Sequence, residues 1–501
     1  MASFNASVQG IILAAGRSTR FKTEGTKLQY TLCGQEMIMF PVKLLNQLDI
    51  PTTIVVGHKK ELVMSIVNGH NLSGISFIEQ KEQQGTGHAL KVTQSAWSAD
   101  HILVINGDMP LVTRDTIENL IQTHLEAFAD VSFVKAHNQD PTIRGYGRVI
   151  RKGSSVIVKE EKDLPVDAPI ICCVNAGIYI FKRSFLEKGI DRLTPSTVTG
   201  EWYIPDLINF ANDNRYHVET IDAAFDLIRG VNTLKELWEA EYLKRTELIS
   251  YWMSNGVQFS VAPHIQLDID VTIGSGTIVG PGALIKKGSR IGRNCRIEAY
   301  TSITASTIEE NVTILPFSVI NESHVAAEAI IGPFAHLRNN VTVGAHSHIG
   351  SFVEATKTTI GEYSKAKHLA YLGNAHIGSH VNIGAGTIVC NYNGVNKSET
   401  IIKDGAQIGA LNALIAPISI GQEAITAAGS SLTENVPDNG FAIARTQQTT
   451  KHAYAPILRE KLKNKKNLDE VLQKTTSVSP APAPKVTYEA KPAYKKTNSE
   501  L

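Results

Sequence analysis

The chain has 501 residues, of which 43% are hydrophobic and 19% charged, and its 49 basic and 48 acidic side chains leave a net charge of +1. These values exclude a wholly disordered chain and argue against a basic nucleic-acid-binding coat, so no nucleic-acid partner is expected. Five cysteines without a CxxC pair predict neither a disulfide framework nor a structural zinc site. The N-terminus lacks a signal-peptide pattern and no apolar run approaches the roughly 18 residues of a membrane span. We therefore expect a cytoplasmic protein without a membrane span.

The first 230 residues alternate short apolar runs with helical patterns. Buried strands are predicted at Val8–Leu13, Thr53–Val56, Ile75–Ile78, Ile102–Ile105 and Val131–Val134, and amphipathic helices at 36–48, 86–97 and 115–127. Such alternation is typical of βαβ units, which build a mostly parallel sheet with helices on both faces. We predict a Rossmann-like α/β domain over residues 1–230, with the vicinal Cys172 and Cys173 packed in its core.

A linker helix is predicted over residues 231–256, because segment 233–253 has helical periodicity and ends at Asn255-Gly256, a C-cap signal. After this helix the apolar period becomes six, starting with Ile273, Val279, Ile285, Ile291, Ile297 and Ile303 and continuing after single-residue slips to Ile420. Glycine follows many of these aliphatic residues. Hexapeptide repeats of this kind predict a left-handed parallel β-helix. We assign it residues 257–458, with a loop leaving the prism at 390–400.

The C-terminal segment 459–501 carries ten Lys/Arg and five Asp/Glu and includes a Pro/Ala run at 480–484. Such a composition cannot bury enough apolar surface to offset the entropy of ordering. We predict a flexible basic tail with a short helix at 467–474.

A first group of chemically active residues follows the first strand. The small-residue turn at 13–16 allows backbone N–H groups to approach a phosphate, and Arg20 and Lys27 can neutralise its charge. The turn matches neither GxGxxG nor a Walker A sequence. Asp108 directly follows the strand Ile102–Ile105, which places its carboxylate at the ligand crevice of a parallel sheet. A hard carboxylate oxygen at that position suits Mg²⁺.

The LAAG-x-x-x-R…K arrangement of this segment resembles the nucleotide-binding signature of sugar-1-phosphate nucleotidyltransferases. Gln80 and the segment 83–89 resemble the base-recognition segment of those enzymes. With the hexapeptide prism, residues 8–455 are similar to the bacterial bifunctional N-acetylglucosamine-1-phosphate uridylyltransferase and glucosamine-1-phosphate N-acetyltransferase family. Further matching motifs are Gly145-Tyr146-Gly147-Arg148, Glu160, Asn175-Ala176-Gly177, Gly200-Glu201-Trp202-Tyr203-Ile204 and Gly230-Val231-Asn232.

The resemblance implies transfer of UMP from UTP to N-acetylglucosamine 1-phosphate, with release of pyrophosphate. Arg20 and Lys27 would be the catalytic cations of an in-line displacement that depends on positioning and charge neutralisation. Asp108 and Asn232 would hold Mg²⁺. The implied UTP and sugar-phosphate contacts are Leu13, Ala14, Ala15, Gly16, Lys27, Gln80, Gly85, Thr86, Gly107, Gly147, Glu160, Asn175 and Asn232.

Within the prism, residues 363–373 resemble the family's acetyltransfer segment. The amine of glucosamine 1-phosphate is mostly protonated at neutral pH, so acetyl transfer needs a base, and His368 is the candidate. The resemblance implies contacts to glucosamine 1-phosphate and acetyl-CoA by Arg338, Tyr371, Asn382, Ala385, Asn391, Tyr392, Ala410, Ala428 and Arg445, with Glu354 orienting the site. We also expect a homotrimer in which neighbouring prisms complete each pocket.

The chain departs from the family pattern in both segments. Ser18, Thr26, Asn106 and Ala176 replace Gly, Pro, Tyr and Thr in the first. In the second, Thr356 replaces a phosphate-binding Lys, although Lys357 is adjacent, and Ala410 replaces a Ser.

Two alternatives stay open at this stage. One is a single-activity nucleotidyltransferase whose prism serves only assembly or regulation, which would not need His368, the 390–400 loop and Arg445 together. The other is a silent trimeric scaffold, which would have no reason to keep Arg20, Lys27, Asp108 and Asn232 in order.

Overall fold

The structure, a computed structural model, describes residues 6–138, 145–153, 155–164 and 171–476. The chain divides into two compact units, Met1–Ala444 and Arg445–Leu501. The Pro/Ala run of the predicted tail lies outside the described residues.

The N-terminal part of the first unit is an α/β domain. Its strands are β1 (Val8–Ala14), β2 (Thr31–Leu32), β3 (Gln35–Glu36), β4 (Thr52–Val56), β5 (Ile75–Glu79), β6 (His101–Asn106), β7 (Val131–His137), β8 (Arg148–Lys152), β9 (Ser155–Lys159), β10 (Cys173–Lys182) and β11 (Val218–Asp222). Its helices are α1 (Met39–Gln47), α2 (Lys60–Asn68), α3 (Thr86–Lys91), α4 (Arg114–Glu126), α5 (Arg183–Gly189) and α6 (Pro205–Asp213).

The main sheet has the strand order β11-β7-β10-β6-β1-β4-β5, and the β8–β9 hairpin pairs with β10. The central strands are parallel, but β10 runs antiparallel to both β6 and β7. Separate apolar clusters cover the two faces, so the predicted Rossmann-like fold is confirmed. The sequence pattern missed β8 to β11, because β8 and β9 mix charges with apolar residues and polar Asn175 interrupts β10.

Two local predictions were wrong. Cys172 is exposed and Cys173 only half-buried, so this pair does not fill the core. The helix predicted at 86–97 ends at Lys91, because the Thr93 hydroxyl donates to the Leu90 carbonyl at 2.6 Å and accepts from Trp97 Nε1 at 2.9 Å. Such side-chain bonds compete with helix continuation.

The C-terminal part of the first unit is the predicted left-handed parallel β-helix. One sheet contains Thr272–Ile273, Arg290–Ile291, Thr307–Ile308, His324–Val325, Thr342–Val343, Thr359–Ile360, Ala375–Ile377, Thr400–Ile402 and Ile418–Ile420. The other strands are Gln258–Phe259, Gln266–Leu267, Ile278–Val279, Leu284–Lys286, Arg296–Ile297, Ser302–Thr304, Thr313–Ile314, Val319–Asn321, Ile330–Ile331, His336–Arg338, His348–Thr356, Lys365–Gly373, Asn382–Ile383, Ile388–Cys390, Gln407–Ile408, Ala413–Ile415, Ile425–Thr426, Ser431–Leu432 and Phe441–Ala442.

The hexad aliphatic residues form the axis of this prism. All six from Ile273 to Ile303 are at most 4% exposed. Thr272 pairs with Arg290, and Arg290 with Thr307, so one coil is a residue shorter than the preceding one. The slips in the hexad period therefore mark shortened corners, and the loop predicted at 390–400 separates the strands ending at Cys390 and starting at Thr400.

Helix α7 (Leu234–Ser254) joins the two regions of the first unit. Leu237, Ala240 and Leu243 pack in the core of the α/β domain. Near the other end, Ile249 belongs to the core of the β-helix. One helix is thus shared by both cores.

In the second unit, helix α8 (Tyr454–Thr476) covers the segment 467–474 for which a helix was predicted. The proposed domain boundaries stay predictions. None of the helices in the described ranges combines the length and apolarity needed to cross a membrane.

Candidate active sites

Two cations and two oxygen-bearing side chains meet at the carboxyl edge of the α/β sheet. Lys27 Nζ donates to the Asp108 carboxylate and, at 2.7 Å, to Asn232 Oδ1. Arg20 Nη2 donates to the same Asn232 oxygen at 2.9 Å. The side chains of Lys27 and Asp108 are only 15% and 17% exposed. The structure therefore brings together all four predicted charge-handling residues, which come from distant stretches of the chain.

Backbone hydrogen bonds hold these residues in place. Gly107 N donates to the Leu13 carbonyl at 2.9 Å and ties the small-residue turn after β1 to the end of β6. Val231 N donates to the Asp108 carbonyl at 2.9 Å, which brings Asn232 alongside. The turn predicted to bind phosphate and the predicted metal ligands therefore share this edge, where one extended anionic ligand could contact both.

Glu236 supports Asn232 and was missed by the sequence analysis. Thr233 caps α7 by accepting from Glu236 N at 3.2 Å, and Glu236 Oε2 accepts from Asn232 N at 2.7 Å. The Thr-x-x-Glu spacing is a capping-box signal, which could have revealed this residue.

Two of the departures from the family pattern lie behind Lys27. Ser18 has a left-handed backbone, with φ of 56°, and its hydroxyl accepts from Lys27 N at 3.0 Å. The Thr26 hydroxyl accepts from Leu28 N at 3.4 Å. These side chains therefore hold the backbone that carries Lys27.

The oxygens of Asp108 and Asn232 fit a magnesium ion. They converge within reach of one cation, since both contact Lys27 Nζ. Among the described residues there is no cluster of three or more His, Cys, Asp or Glu that could hold a metal. A site with one carboxylate matches Mg²⁺, which completes its octahedral shell with water and substrate phosphates.

The predicted base-recognition residues pack against one another. Gln80 is buried, and its Nε2 donates to the Gly85 carbonyl at 3.2 Å and lies 3.1 Å from His88 Nδ1. The Thr86 hydroxyl accepts from Ile204 N at 3.2 Å. The 80–88 segment is thus held against the 200–204 motif.

The sugar-binding candidates form a second cluster. Asn175 N donates to the Gly147 carbonyl at 2.9 Å, and a Cβ placed on Gly147 would lie 3.5 Å from Glu160 Oε1. Burial, with Asp163 and Asp206 nearby, raises the pKa of Glu160 to about 7. This carboxyl group can therefore donate as well as accept hydrogen bonds near neutral pH.

The second candidate site lies on successive coils of the prism. Arg338 Nη2 donates to Glu354 Oε1 at 2.6 Å, and Arg338 Nη1 donates to the Thr356 hydroxyl at 3.4 Å. Glu354 lies opposite Tyr371 in the strand register. A Cβ on Gly373 would lie 2.7 Å from the Tyr371 hydroxyl and 2.8 Å from Asn391 Nδ2. The structure therefore brings Arg338, Glu354, Tyr371 and Asn391 together.

His368 is exposed on the strand Lys365–Gly373, opposite Ser351 in the neighbouring coil. His348, which the sequence analysis missed, is close to it. Burial and the charges of Lys367 and His368 lower the pKa of His348. The coil repeat was the signal, because His348 pairs with Lys365 one coil away.

Three of the remaining predicted acetyl-CoA contacts, Ala385, Ala410 and Ala428, lie at one corner of the prism. Leu411 N donates to the Ala385 carbonyl at 2.7 Å, and Gly429 N donates to the Ala410 carbonyl at 2.8 Å. Ala385, Ala410 and the residue before Gly429, Ala428, therefore lie on successive coils. Asn382 pairs with Lys365, which is in the His368 strand. Tyr392 is exposed in the loop after Asn391, and Arg445 is the first residue of the second unit.

A nucleotidyltransferase fold with cations and oxygen ligands at its sheet edge, joined to a hexapeptide β-helix with its own polar cluster, defines a class of two-domain transferases. A family model for the MobA-like NTP transferase domain matches residues 10–162, and one for the GMPPB C-terminal domain matches residues 267–360.

The full-length relatives give a narrower result. The bifunctional protein GlmU of Koribacter versatilis (strain Ellin345) is 38% identical over 465 residues, which cover 91% of this chain and 98% of that protein. GlmU of Exiguobacterium sibiricum is 37% identical over 450 residues, which cover 89% of this chain and 99% of that protein. GlmU of Shouchella clausii (strain KSM-K16) is 39% identical over 453 residues, which cover 89% of this chain and 98% of that protein. The chain belongs to the GlmU family, and the prediction of a bifunctional transferase is confirmed.

Proposed function

We propose that the chain acetylates glucosamine 1-phosphate with acetyl-CoA and then transfers UMP from UTP to the N-acetylglucosamine 1-phosphate formed, releasing pyrophosphate. Membership in a family of bifunctional proteins favours this pair of reactions over a single-activity enzyme. The observation that carries the uridylyl reaction is the convergence of Arg20, Lys27, Asp108 and Asn232 at the sheet edge.

In uridylyl transfer, the sugar phosphate attacks the α-phosphorus of UTP in line. Arg20 and Lys27 neutralise the charge that accumulates on the phosphates, and the turn at 13–16 orients those phosphates. Mg²⁺ held by Asp108 and Asn232 would supply further charge neutralisation when bound. The attacking phosphate is already ionised, so no protein base is required.

The same proposal assigns the two ends of the substrate pair to the two flanking clusters. Gln80, Gly85 and Thr86 bind the uracil, and Gly147, Glu160 and Asn175 bind the N-acetylated sugar. The hydrogen bond between Asn175 N and the Gly147 carbonyl supports this grouping.

In acetyl transfer, His368 accepts a proton from the ammonium group of glucosamine 1-phosphate. The free amine attacks the thioester carbonyl, a C–N bond forms and the C–S bond breaks. His368 passes that first proton to solvent, then accepts the proton that the attacking nitrogen loses as the amide forms and transfers it to the leaving thiolate of coenzyme A, so that one proton is released per turnover. Arg338 binds the sugar phosphate, Tyr371 and Asn382 bind the sugar, and Ala385, Asn391, Tyr392, Ala410, Ala428 and Arg445 bind acetyl-CoA.

The proposal also includes the oligomeric state and the cellular location of the chain. His368 and the small residues of the corner are exposed or half-exposed in a single chain, so a neighbouring prism would close the pocket in a homotrimer. Equilibrium sedimentation tests this, and a monomer with full acetyltransferase activity would contradict it. The five free thiols support the cytoplasmic location, because disulfides are rare in reducing compartments.

One assay tests the reaction sequence. Purified protein is given glucosamine 1-phosphate, acetyl-CoA, UTP and Mg²⁺, and every product is followed with time. We expect coenzyme A to appear first, followed by pyrophosphate and UDP-N-acetylglucosamine. If only added N-acetylglucosamine 1-phosphate yields the nucleotide sugar, the prism is a scaffold.

A further inference from the structure

The hairpin β2–β3 of the nucleotidyltransferase domain touches the first coil of the β-helix. Ile269 N, in that coil, donates to the Cys33 carbonyl at the hairpin turn at 2.8 Å. The Ile269 side chain packs against the apolar core of the nucleotidyltransferase domain. One residue of the prism is therefore part of the core that supports the uridylyl site.

The turn leaves no spare room at this contact. Gly34 has a φ of 81°, and a Cβ there would lie 2.5 Å from the Asp268 carboxyl carbon. Asp268 is nearly buried, and its Oδ2 accepts from Lys287 N at 3.0 Å in the next coil. Cys33 is also buried, with φ of 45°. The tip of the hairpin is thus fixed on a rigid surface of the prism.

The hairpin leads directly back to Lys27, which lies six residues before Cys33. Ile38 N donates to the Leu28 carbonyl at 3.3 Å, and Met37 N to the Tyr30 carbonyl at 2.8 Å. Leu28 is buried. A displacement of the turn would therefore move the short segment that carries the Lys27 ammonium.

Asn232 is attached to the prism by a second route. Glu236, in the first turn of α7, accepts a hydrogen bond from Asn232 N through its Oε2 at 2.7 Å. The 21-residue helix extends about 30 Å, and Ile249 near its far end is part of the prism core. In contrast, Asp108 follows β6 in the sheet.

We propose that Ile269 is a positioning residue for uridylyl transfer: through the hairpin turn and together with α7, the first coil of the β-helix sets the distance of Lys27 and Asn232 from Asp108. This inference rests on the proposed uridylyl activity. It gives the prism a part in setting the geometry of the first site, in addition to carrying the second. Misplacement of reacting groups by about 1 Å can cost about 10²-fold in rate, so a partial loosening has a measurable effect.

The test compares three single variants of the full chain with the wild type. Ile269→Ala removes the side-chain packing at the hairpin contact, and Ile269→Val retains most of it. Ile291→Ala is the control, because it truncates an isoleucine of the prism core that lies outside the nucleotidyltransferase core. Uridylyl transfer, acetyl transfer and hydrogen exchange of the amides in residues 27–36 are measured on the same preparations.

We expect Ile269→Ala to lower the kcat of uridylyl transfer about tenfold, with the KM for UTP within about twofold and acetyl transfer unchanged. The 27–36 amides should exchange faster, and both Ile269→Val and Ile291→Ala should stay near wild type in this reaction. A loss of folded protein would lower both activities together, so the separation of the two rates identifies positioning.

The possible outcomes are distinct. The inference is overturned if Ile269→Ala leaves both the kcat of uridylyl transfer and the amide exchange unchanged. It is also overturned if Ile269→Ala lowers both activities equally, or if Ile291→Ala lowers uridylyl transfer as much as Ile269→Ala does. If the wild type forms no UDP-N-acetylglucosamine, the proposed function fails instead. Hydrogen exchange then still decides the anchoring: faster exchange at 27–36 supports it, and unchanged exchange overturns it.

Discussion

In the nucleotidyltransferase domain, the charge-handling groups of the candidate site come from three separate stretches of chain, while in the β-helix the site groups come from coils stacked one above another. Lys27 and Asp108 meet only because β1 and β6 are neighbours in the sheet. Arg338, Thr356 and Gly373 are consecutive partners in one strand register. The first site therefore depends on tertiary contacts and the second on a repeated local geometry. Changes in one site should leave the other intact.

The largest expected effect comes from removing the carboxylate of the first site. Asp108→Ala should lower uridylyl transfer by about 10³-fold or more, because Lys27 loses its partner and a proposed Mg²⁺ ligand is lost. Acetyl transfer, in which no phosphorus centre reacts, should stay near wild type. Steady-state assays of both reactions test this, with the exposed Asp213→Ala as control. Joint loss of both activities in a folded Asp108 variant would refute the separation of sites.

The reciprocal change removes the proposed base in the prism. His368→Ala should lower acetyl transfer by about 10²–10⁴-fold, the usual contribution of a positioned general base, and spare uridylyl transfer. The matched control is His376→Ala, an exposed histidine in another sheet of the same prism. If acetyl transfer survives in His368→Ala, the base has to be sought elsewhere, with His348 as the nearest candidate.

The comparison also explains how far sequence reasoning reached. In the prism, Ile273 to Ile303 repeat with the coil, so each aliphatic position predicts both burial and register. In the α/β domain, the end of a buried strand correctly predicted where Asp108 lies. Those two features depend on local periodicity, which a single sequence contains.

Two features that join distant segments were not predicted. The antiparallel insertion of β10 between β6 and β7 carries no local signal, because Asn175 and Gly177 interrupt its apolar pattern. The contact between Cys33 and Ile269 joins residues far apart in the chain and depends on a backbone bond. Glu236 and His348 did have sequence signals, the capping box for Glu236 and the coil repeat for His348.

A difference in acid stability should also separate the two regions. His124 is fully buried in the α/β domain; its Nδ1 lies 2.8 Å from the Ser132 hydroxyl and its Nε2 2.9 Å from His101 Nδ1. Burial first, then His101 and Lys182, lowers the pKa of His124 to about 3 from its usual 6.5. The folded state keeps the ring neutral while the unfolded state binds a proton below pH 6.5. Its contribution to stability is therefore fully present above that pH and is lost as the pH falls toward 3.

Protonation of His124 in the unfolded state therefore lowers the free energy of unfolding at pH 5 by about 2 kcal/mol relative to pH 7.5. His124→Gln should reduce the pH dependence of the free energy of unfolding by that amount, measured by urea unfolding at both pH values with tryptophan fluorescence. The exposed His137→Gln is the control. An undiminished pH dependence in His124→Gln would show that His124 is not the group responsible.

The smallest expected effect concerns the phosphate contact of the second site. Thr356 is buried beside Arg338, and its hydroxyl accepts from Arg338 Nη1 at 3.4 Å and from Asn339 Nδ2 at 3.3 Å. Lys357 is exposed at the next corner, with φ of 48°. Thr356→Lys would add a second cation beside Arg338, where the substrate phosphate is proposed to bind. Arg338 and Glu354 are 34% and 39% exposed, so the gain belongs at the low end for a charge-assisted hydrogen bond, about 1.5 kcal/mol.

We therefore expect Thr356→Lys to lower the KM for glucosamine 1-phosphate up to about tenfold, with kcat for acetyl transfer and all uridylyl-transfer constants unchanged. Lys357→Ala decides the alternative. If Lys357 already reaches the phosphate, its removal raises that KM and Thr356→Lys changes little. If neither variant alters the KM, the phosphate does not bind at this end of the strand and the placement of Arg338 in the site is wrong.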